Sequence, residues 1–237
     1  MAYYIKKILK FENIIFLFSS AILIFLKITV GDFSFFEKYI DLKNHSIELI
    51  KWYSWLYHFI LTFSLFFCVP LILNKLIFKR ELKNIGLGIG DWQTSLKATI
   101  VLVIISTPLL YFSSKNKNVL IFYPQTTLAV ESISYFIIWC IGYLLHYIGW
   151  EFFFRGYMTF FLKRYYGVFF AIFIPTILTT LLHINRPIME VFGALLIGII
   201  FGTLVIKTNN IYTPVITHWY IGIMNTYFTS IMRYQGI

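Results

Sequence analysis

Long apolar runs recur along the whole chain and constrain its fold more than any other feature. Such runs are too long to be strands of a soluble sheet, and about 20 apolar residues suffice for a helix to cross a bilayer. Only 13% of the 237 residues are charged and 59% are hydrophobic, whereas soluble domains have roughly 25% charged and about 45–50% apolar residues. The sequence therefore predicts an all-α fold, a polytopic membrane helix bundle.

The runs predict about 7–8 transmembrane helices. They cover residues 13–30, 52–77, 96–112, 127–146, 149–165, 168–183, 188–206 and 212–232. The run at 149–165 either lies in the interface, which leaves seven crossings, or crosses as a separate helix, which makes eight. We choose eight, because a crossing helix with a turn at Gly167 forms an antiparallel hairpin with the next run and brings Glu151 near His183.

No stretch is long and polar enough to form a separate soluble domain. Residues 1–237 are therefore predicted to form a single integral membrane domain, with N-terminal helices in 1–126 and a catalytic core in 127–237. No small-residue cleavage pattern follows the first run, so we expect it to be retained as a span. Cys68 and Cys140 lie inside apolar runs without metal-type spacing and are predicted to be buried core cysteines.

The formal net charge of +10 is carried by basic residues at the ends of the apolar runs. They include Lys6, Lys7, Lys10, Lys75, Lys79, Arg80, Lys83, Lys163 and Arg164. This pattern indicates the positive-inside rule and contact with the lipid bilayer, and no nucleic acid partner. We expect a multi-pass protein of a bacterial cytoplasmic membrane. With eight crossings, the N-terminus and the 79–83 loop face the cytoplasm, and Lys163, Arg164 and Lys207 lie on the opposite side.

An acid and a base stand four residues apart inside one of the most apolar segments, at Glu151 and Arg155. On a helix, this spacing puts both side chains on one face, so they can form an ion pair. The three phenylalanines between them are expected to face other helices or lipid. Charged groups at membrane depth are costly and usually mark a functional cavity. We interpret Arg155 as the structural partner of Glu151.

Three more polar residues in the C-terminal half join Glu151 as candidates. His183 ends one apolar run, His218 begins another, and Asn225 follows His218 by seven residues, which places both on one helix face. Each alone has a simpler explanation, since span-end histidines are often interfacial and amides often bond between helices. His58 and His146 are interpreted as structural or interfacial. An acid, two histidines and an amide on neighbouring helices are harder to explain by chance than any one of them alone.

Such a set could hydrolyse a peptide bond without a covalent intermediate. A carboxylate in a pocket with apolar walls suits a general base, and a nearby imidazole can hold water and pass a proton to the leaving amine. A second imidazole and an amide can donate hydrogen bonds to an oxyanion. Two histidines and a glutamate could instead bind zinc, but no HExxH motif is present. We predict no cofactor, with zinc as the weaker alternative.

These residues resemble the CAAX protease and bacteriocin-processing family (CPBP or Abi) of intramembrane glutamic proteases. Its motifs read Glu-Glu-x-x-x-Arg, Phe-x-x-x-His and His-x-x-x-Asn. Residues 151–155 match the first motif, His183 the second and His218 the third. The similarity covers about 127–227, and the loop at 86–92 also resembles sequence found upstream in the family. The resemblance implies Glu151 as the base assisted by His183, with His218 and Asn225 stabilising the oxyanion.

Three positions depart from the family pattern. Trp150 occupies the place of the first glutamate, which is usually the base that activates water. Thr179 replaces the phenylalanine of the second motif. Gly222 stands where the final asparagine is expected, and the nearest substitute, Asn225, lies roughly 4–5 Å farther along the helix axis.

The leading hypothesis is an intramembrane endopeptidase whose substrate is a membrane-associated peptide or protein at the cytoplasmic face. The alternative is a non-catalytic relative that acts as a membrane immunity or partner-binding protein. A transporter has little support, because the sequence shows neither an inverted repeat nor paired broken helices.

Overall fold

The computed structural model describes residues 11–40 and 45–236, and this part of the chain is helical without strands. Its longer helices are α1 (Phe11–Thr29), α3 (Ile47–Phe78), α4 (Trp92–Ser113), α6 (Ile133–Tyr166), α7 (Val168–Leu181), α8 (Ile188–Thr208) and α9 (Tyr212–Tyr234). Two short helices, α2 (Phe33–Tyr39) and α5 (Lys117–Phe122), and two 3-10 turns (Leu82–Ile85 and Thr127–Val130) connect them. The predicted all-α fold is confirmed. The N-terminal lysines at 6, 7 and 10 lie outside the described residues.

Five helices of the described part are long and apolar enough to cross a membrane, namely α1, α3, α4, α6 and α8. The apolar helix α7 is shorter, and α9 is more polar than these five. In each of the five, at most 28% of the apolar window is buried inside the bundle, as expected of helices that contact lipid acyl chains. A multi-pass membrane bundle follows from these helices.

Helix α6 departs from the predicted span pattern. It runs without interruption from Ile133 to Tyr166 and so joins the two runs predicted at 127–146 and 149–165. Its 34 residues correspond to a length of about 51 Å, enough for one tilted crossing of a hydrocarbon layer about 30 Å thick. The separate motif helix, and with it the choice of eight crossings, is therefore wrong. The predicted turn at Gly167 is confirmed, and α7 folds back against α6 there.

The ends of α3, α6 and α8 meet on one side of the bundle. Lys79, Arg80, Lys163, Arg164 and Asn209 line one common pocket there. Placing Lys163, Arg164 and Lys207 opposite the 79–83 loop is therefore wrong, because α6 crosses only once and ends beside α3.

The segment after Glu151 lies at the centre of the bundle. Residues Phe152–Met158 form a π-helical stretch within α6, and all of them are buried. Phe152, Phe153 and Phe154 are fully covered by other helices, so they do not face lipid. Phe153 stacks on Phe66 of α3 with ring centroids 4.2 Å apart. Single π turns are rare and frequent at functional sites, so this stretch directs attention to the residue before it.

Small residues set the closest helix approaches. Gly198 and Gly202 of α8 lie one turn apart and pack against α7. A Cβ at Gly198 would lie 2.8 Å from the Thr176 side chain, and one at Gly202 would lie 3.3 Å from Ile172. These two glycines therefore let α8 and α7 approach closely.

A similar approach joins α6 to α3 at Gly149, and it yields a testable prediction. A Cβ at this position would lie 2.9 Å from the Cα of Phe63 and from the carbonyl oxygen of Thr62. Because backbone cannot move aside as a flexible side chain can, we expect Gly149→Ala to lower the free energy of unfolding by about 1–3 kcal/mol. Unfolding by sodium dodecyl sulfate in mixed micelles measures this quantity.

The matched control is Gly193→Ala. This glycine also lies in a membrane helix, but nothing stands within 4 Å of an added Cβ. The substitution should leave stability unchanged or raise it slightly, since alanine has the higher helix propensity. Equal effects of the two substitutions would contradict the close α3–α6 crossing.

Candidate active site

Glu151 is fully buried near the middle of α6 and forms the predicted ion pair with Arg155. Its Oε2 lies 3.5 Å from Nε of Arg155, and the arginine side chain is only 3% exposed. A Cβ at Gly198 of α8 would lie 3.3 Å from Nη2 of Arg155. The absent side chain at position 198 therefore makes room for the guanidinium.

The closest partner of Glu151 is His218 of α9. Nδ1 of His218 lies 2.6 Å from Oε1 of the carboxylate. The side chain of His218 is 19% exposed, whereas that of Glu151 is 0% exposed. When the Nδ1–H donates to the carboxylate, the lone pair of the ring lies on Nε2. Among residues 11–40 and 45–236, Nε2 has no hydrogen-bond partner, so it is the accessible basic atom of this pair.

His183 lies beside the site but does not contact Glu151 through a hydrogen bond. It follows the end of α7, where its Nδ1 lies 2.6 Å from the carbonyl oxygen of Thr179. Its ring meets the Trp150 ring edge to face at a centroid distance of 5.9 Å. Trp150, which stands where a second glutamate was expected, therefore packs against the ring of His183.

Asn225 is not joined to this cluster by a side-chain hydrogen bond within the described residues. Its carbonyl oxygen accepts a hydrogen bond from Thr229 of the next turn. The predicted role of Asn225 in oxyanion binding stays a prediction without a contact to support it.

The sequence analysis did not identify Tyr147, which lies one turn before Glu151 on α6. Its ring packs on the His218 ring at a centroid distance of 4.1 Å. A Cβ at Gly222 would lie 2.8 Å from the hydroxyl oxygen of Tyr147. The tyrosine hydroxyl thus fills the space beside the position of the missing asparagine. The i, i+4 relation of Tyr147 to Glu151 could have indicated it from the sequence.

His58 and His146, for which the sequence showed no partner, have partners inside the bundle. Their rings stack at a centroid distance of 5.2 Å, and His146 also stacks on Trp150 at 5.9 Å. Nζ of the buried Lys27 lies 3.3 Å from Nε2 of His58.

The two cysteines are free and half-buried, so the prediction of buried core cysteines is wrong in degree. Within the part of the chain that the structure describes, no three His, Cys, Asp or Glu side chains lie close enough together to hold a metal ion. The prediction that the protein works without a cofactor remains a prediction.

The arrangement of Glu151, His218 and Arg155 lies within a segment that matches a known family. Residues 132–224 match the family model described as Type II CAAX prenyl endopeptidase Rce1-like. The chain is therefore similar to this family over that segment, which is less than half of its length. The predicted resemblance is confirmed, and the Rce1-like segment includes Glu151, His183 and His218 but ends one residue before Asn225. Comparisons with curated proteins and with solved structures give no match.

The buried ion pair of the Rce1-like segment yields a prediction of stability. Arg155→Ala leaves the carboxylate of Glu151 without its cation, and an uncompensated buried charge costs about 3–5 kcal/mol. We expect the free energy of unfolding in mixed micelles to fall by that amount.

The control is the double variant Glu151→Gln/Arg155→Met, which leaves no charge behind. It should be closer to the wild type than Arg155→Ala is, because both the carboxylate and the guanidinium are gone. A single variant as stable as the wild type would show that the ion pair does not support the fold.

Proposed function

We propose that this protein is an intramembrane endopeptidase that hydrolyses a peptide bond of a membrane-associated peptide or protein. The observation that carries the proposal is the 2.6 Å contact between Glu151 and His218, deep in an Rce1-like segment. A carboxylate that holds an imidazole in one tautomer is a recurrent way to build a general base. No covalent intermediate is required, because water itself can be the nucleophile.

The difference in exposure between Glu151 and His218 favours different catalytic roles for the two side chains. Glu151 has no exposed surface, whereas His218 is 19% exposed and keeps Nε2 free. We assign proton abstraction from water to Nε2 of His218, while Glu151 orients the ring and stabilises the imidazolium. This assignment shifts the role of base, which the sequence analysis gave to Glu151, to its partner.

The reaction then balances as a simple hydrolysis. Water gives a proton to Nε2 of His218, and the hydroxide attacks the carbonyl carbon of the substrate. As the C–N bond breaks, the imidazolium returns the proton to the leaving amine. His183, whose Nδ1–H bonds to Thr179, keeps its own Nε2 free to position the water or the amine.

The hydroxyl of Tyr147 is the best-placed donor to the developing oxyanion. It lies beside Gly222 and next to His218, and it makes no hydrogen bond to another described residue. A donor without a competing partner can point at a substrate oxygen without first breaking a bond. We therefore propose that Tyr147 replaces the asparagine of the third motif.

The orientation follows from charge. Lys79, Arg80, Lys163 and Arg164 lie at the same end of the bundle. By the positive-inside rule we propose that this end faces the cytoplasm, although Lys51, Lys115, Lys117 and Arg233 lie at the opposite end of the bundle. We accordingly keep the prediction of a bacterial cytoplasmic membrane for the protein.

Removing either member of the dyad should abolish most activity. We expect Glu151→Ala and His218→Ala to lower kcat for a processed membrane peptide by about 100- to 10,000-fold, the usual contribution of general acid–base catalysis. His183→Ala should also lower kcat, by less than the other two. The measurement is peptide cleavage in proteoliposomes, followed by mass spectrometry of the products.

His45→Ala is the matched control, since this histidine is exposed on a loop. It should leave cleavage unchanged. If the three site variants cleave as fast as His45→Ala, the hydrolytic proposal is wrong.

Tyr147→Phe tests the oxyanion assignment separately. The ring and its packing on His218 remain, and only the hydroxyl is lost. We expect kcat to fall by about 100-fold with little change in KM, because the donor bonds the oxygen mainly in the transition state. Tyr220→Phe is the control, because its hydroxyl pairs with Thr107 instead. Equal rates for both variants would remove Tyr147 from the mechanism.

A second candidate function has support from Trp150 and Gly222. Both replace polar residues of the family motifs, as expected of a non-catalytic relative that binds a partner or confers immunity. That reading predicts a cellular phenotype that survives Glu151→Ala and His218→Ala, with no cleavage by the wild type.

A further inference from the structure

A basic pocket lies at the end of the bundle where α3, α6 and α8 finish. We use this name for the cavity of about 620 Å³ that is lined by Lys79, Arg80, Lys163 and Arg164, with Phe78 and Phe160 as apolar walls. Of these three helices, α6 also carries Glu151 of the candidate active site. None of the four basic residues takes part in the proposed hydrolysis.

The positive charge of the basic pocket is not cancelled by its surroundings. Its single lining carboxylate, Glu81, pairs with Lys83 at 2.6 Å. The C-terminal ends of α3, α6 and α8 contribute a partial charge of about −0.5 each, roughly −1.5 together. The carboxylate of Glu12, which Tyr165 contacts beside Arg80, subtracts one more charge. The four cations still exceed these negative charges by about 1.5 unit charges, so an anion is attracted to the pocket.

Arg80 is held ready for such an anion. Its guanidinium lies over the rings of Phe161, Phe78 and Tyr165, at 4.9, 5.6 and 5.6 Å from their centroids. Burial lowers the pKa of this guanidinium. Its Nη2 is buried and has no hydrogen-bond partner among the described residues. A planar, pre-oriented arginine with an unused donor suits the paired oxygens of a phosphate.

We propose that the basic pocket binds a phosphate group, carried by the headgroup of an anionic phospholipid. Arg80 and Arg164 contact the phosphate oxygens, and Lys79 and Lys163 add charge at the rim. Basic pockets between membrane helices on the cytoplasmic side are suited to such headgroups.

The surroundings favour a lipid over a soluble phosphate. Phe78 and Phe160 provide apolar walls next to the cations. Within its last two turns before the pocket, α3 also exposes Ile72 and Leu76, which are 54% and 65% exposed. A headgroup in the pocket could therefore keep its acyl chains along a lipid-facing helix.

The test uses the full-length protein in a neutral detergent. Native mass spectrometry counts bound phosphatidylglycerol, phosphatidylcholine or inorganic phosphate, and titration of each gives its dissociation constant. The variant Lys163→Gln/Arg164→Gln removes two cations near the protein surface and leaves Arg80 in place. The control, Lys115→Gln/Lys117→Gln, removes two exposed cations at the opposite end of the bundle.

We expect phosphatidylglycerol to bind the wild type and the control variant equally, and the pocket variant about 30-fold more weakly. Unchanged binding by the pocket variant would overturn the proposal. Equal binding of phosphatidylcholine would overturn its anionic specificity. Binding of inorganic phosphate as tight as that of phosphatidylglycerol, and equally reduced in the pocket variant, would overturn the lipid as its source.

Arg80→Lys is a second variant, which keeps the charge but loses the planar fork. A lower affinity for phosphatidylglycerol in this variant is expected if paired oxygens are recognised. An affinity equal to that of the wild type would show that the pocket attracts charge without recognising phosphate.

Discussion

The buried carboxylate of Glu151 is the constraint on which the centre of this bundle depends. Moving a carboxylate out of water costs several kcal/mol even after relaxation, so its partners must lie close. Arg155 approaches from the same helix at 3.5 Å and His218 from α9 at 2.6 Å. The carboxylate thereby fixes the relative positions of α6 and α9 at this depth.

Helix α8 takes part in this arrangement without supplying a charge. Gly198 leaves space beside Nη2 of Arg155 and, on the same face, beside Thr176 of α7. One small residue thus serves two purposes, close packing of α7 on α8 and accommodation of the guanidinium. In a bilayer, where helix association has no hydrophobic driving force, such small residues let van der Waals contact stabilise the bundle.

Much of the fold could be predicted from the sequence, because apolar runs and i, i+4 spacing are local signals. These signals gave the membrane helices, the pair of Glu151 and Arg155 and the turn at Gly167. Local signals failed at residues 147–149, where two separate helices were predicted, although Gly149 lets one continuous α6 approach the backbone of α3. A glycine that ends a helix and one that permits a close crossing look identical in a sequence.

The candidate site residues were named from the sequence, but the contacts between them could not be predicted. The motifs named Glu151, His183 and His218, yet only the crossing of α6 with α9 decides that His218 is the one bonded to the carboxylate. Tyr147 was missed for the same reason. Its hydroxyl becomes relevant only when Gly222, far along the chain, leaves room for it.

The presence of Trp150 in place of the first glutamate of the family motif is consistent with the charges around this position. Glu151 already has one cation, Arg155, within 4 Å, and His218 completes its contacts. A second carboxylate beside it would repel the first in this apolar setting and raise the proton affinity of one of them. Trp150 instead supplies a neutral surface that packs against His146 and His183. In the proposed mechanism, the accessible base of this site with a single carboxylate is therefore the imidazole of His218.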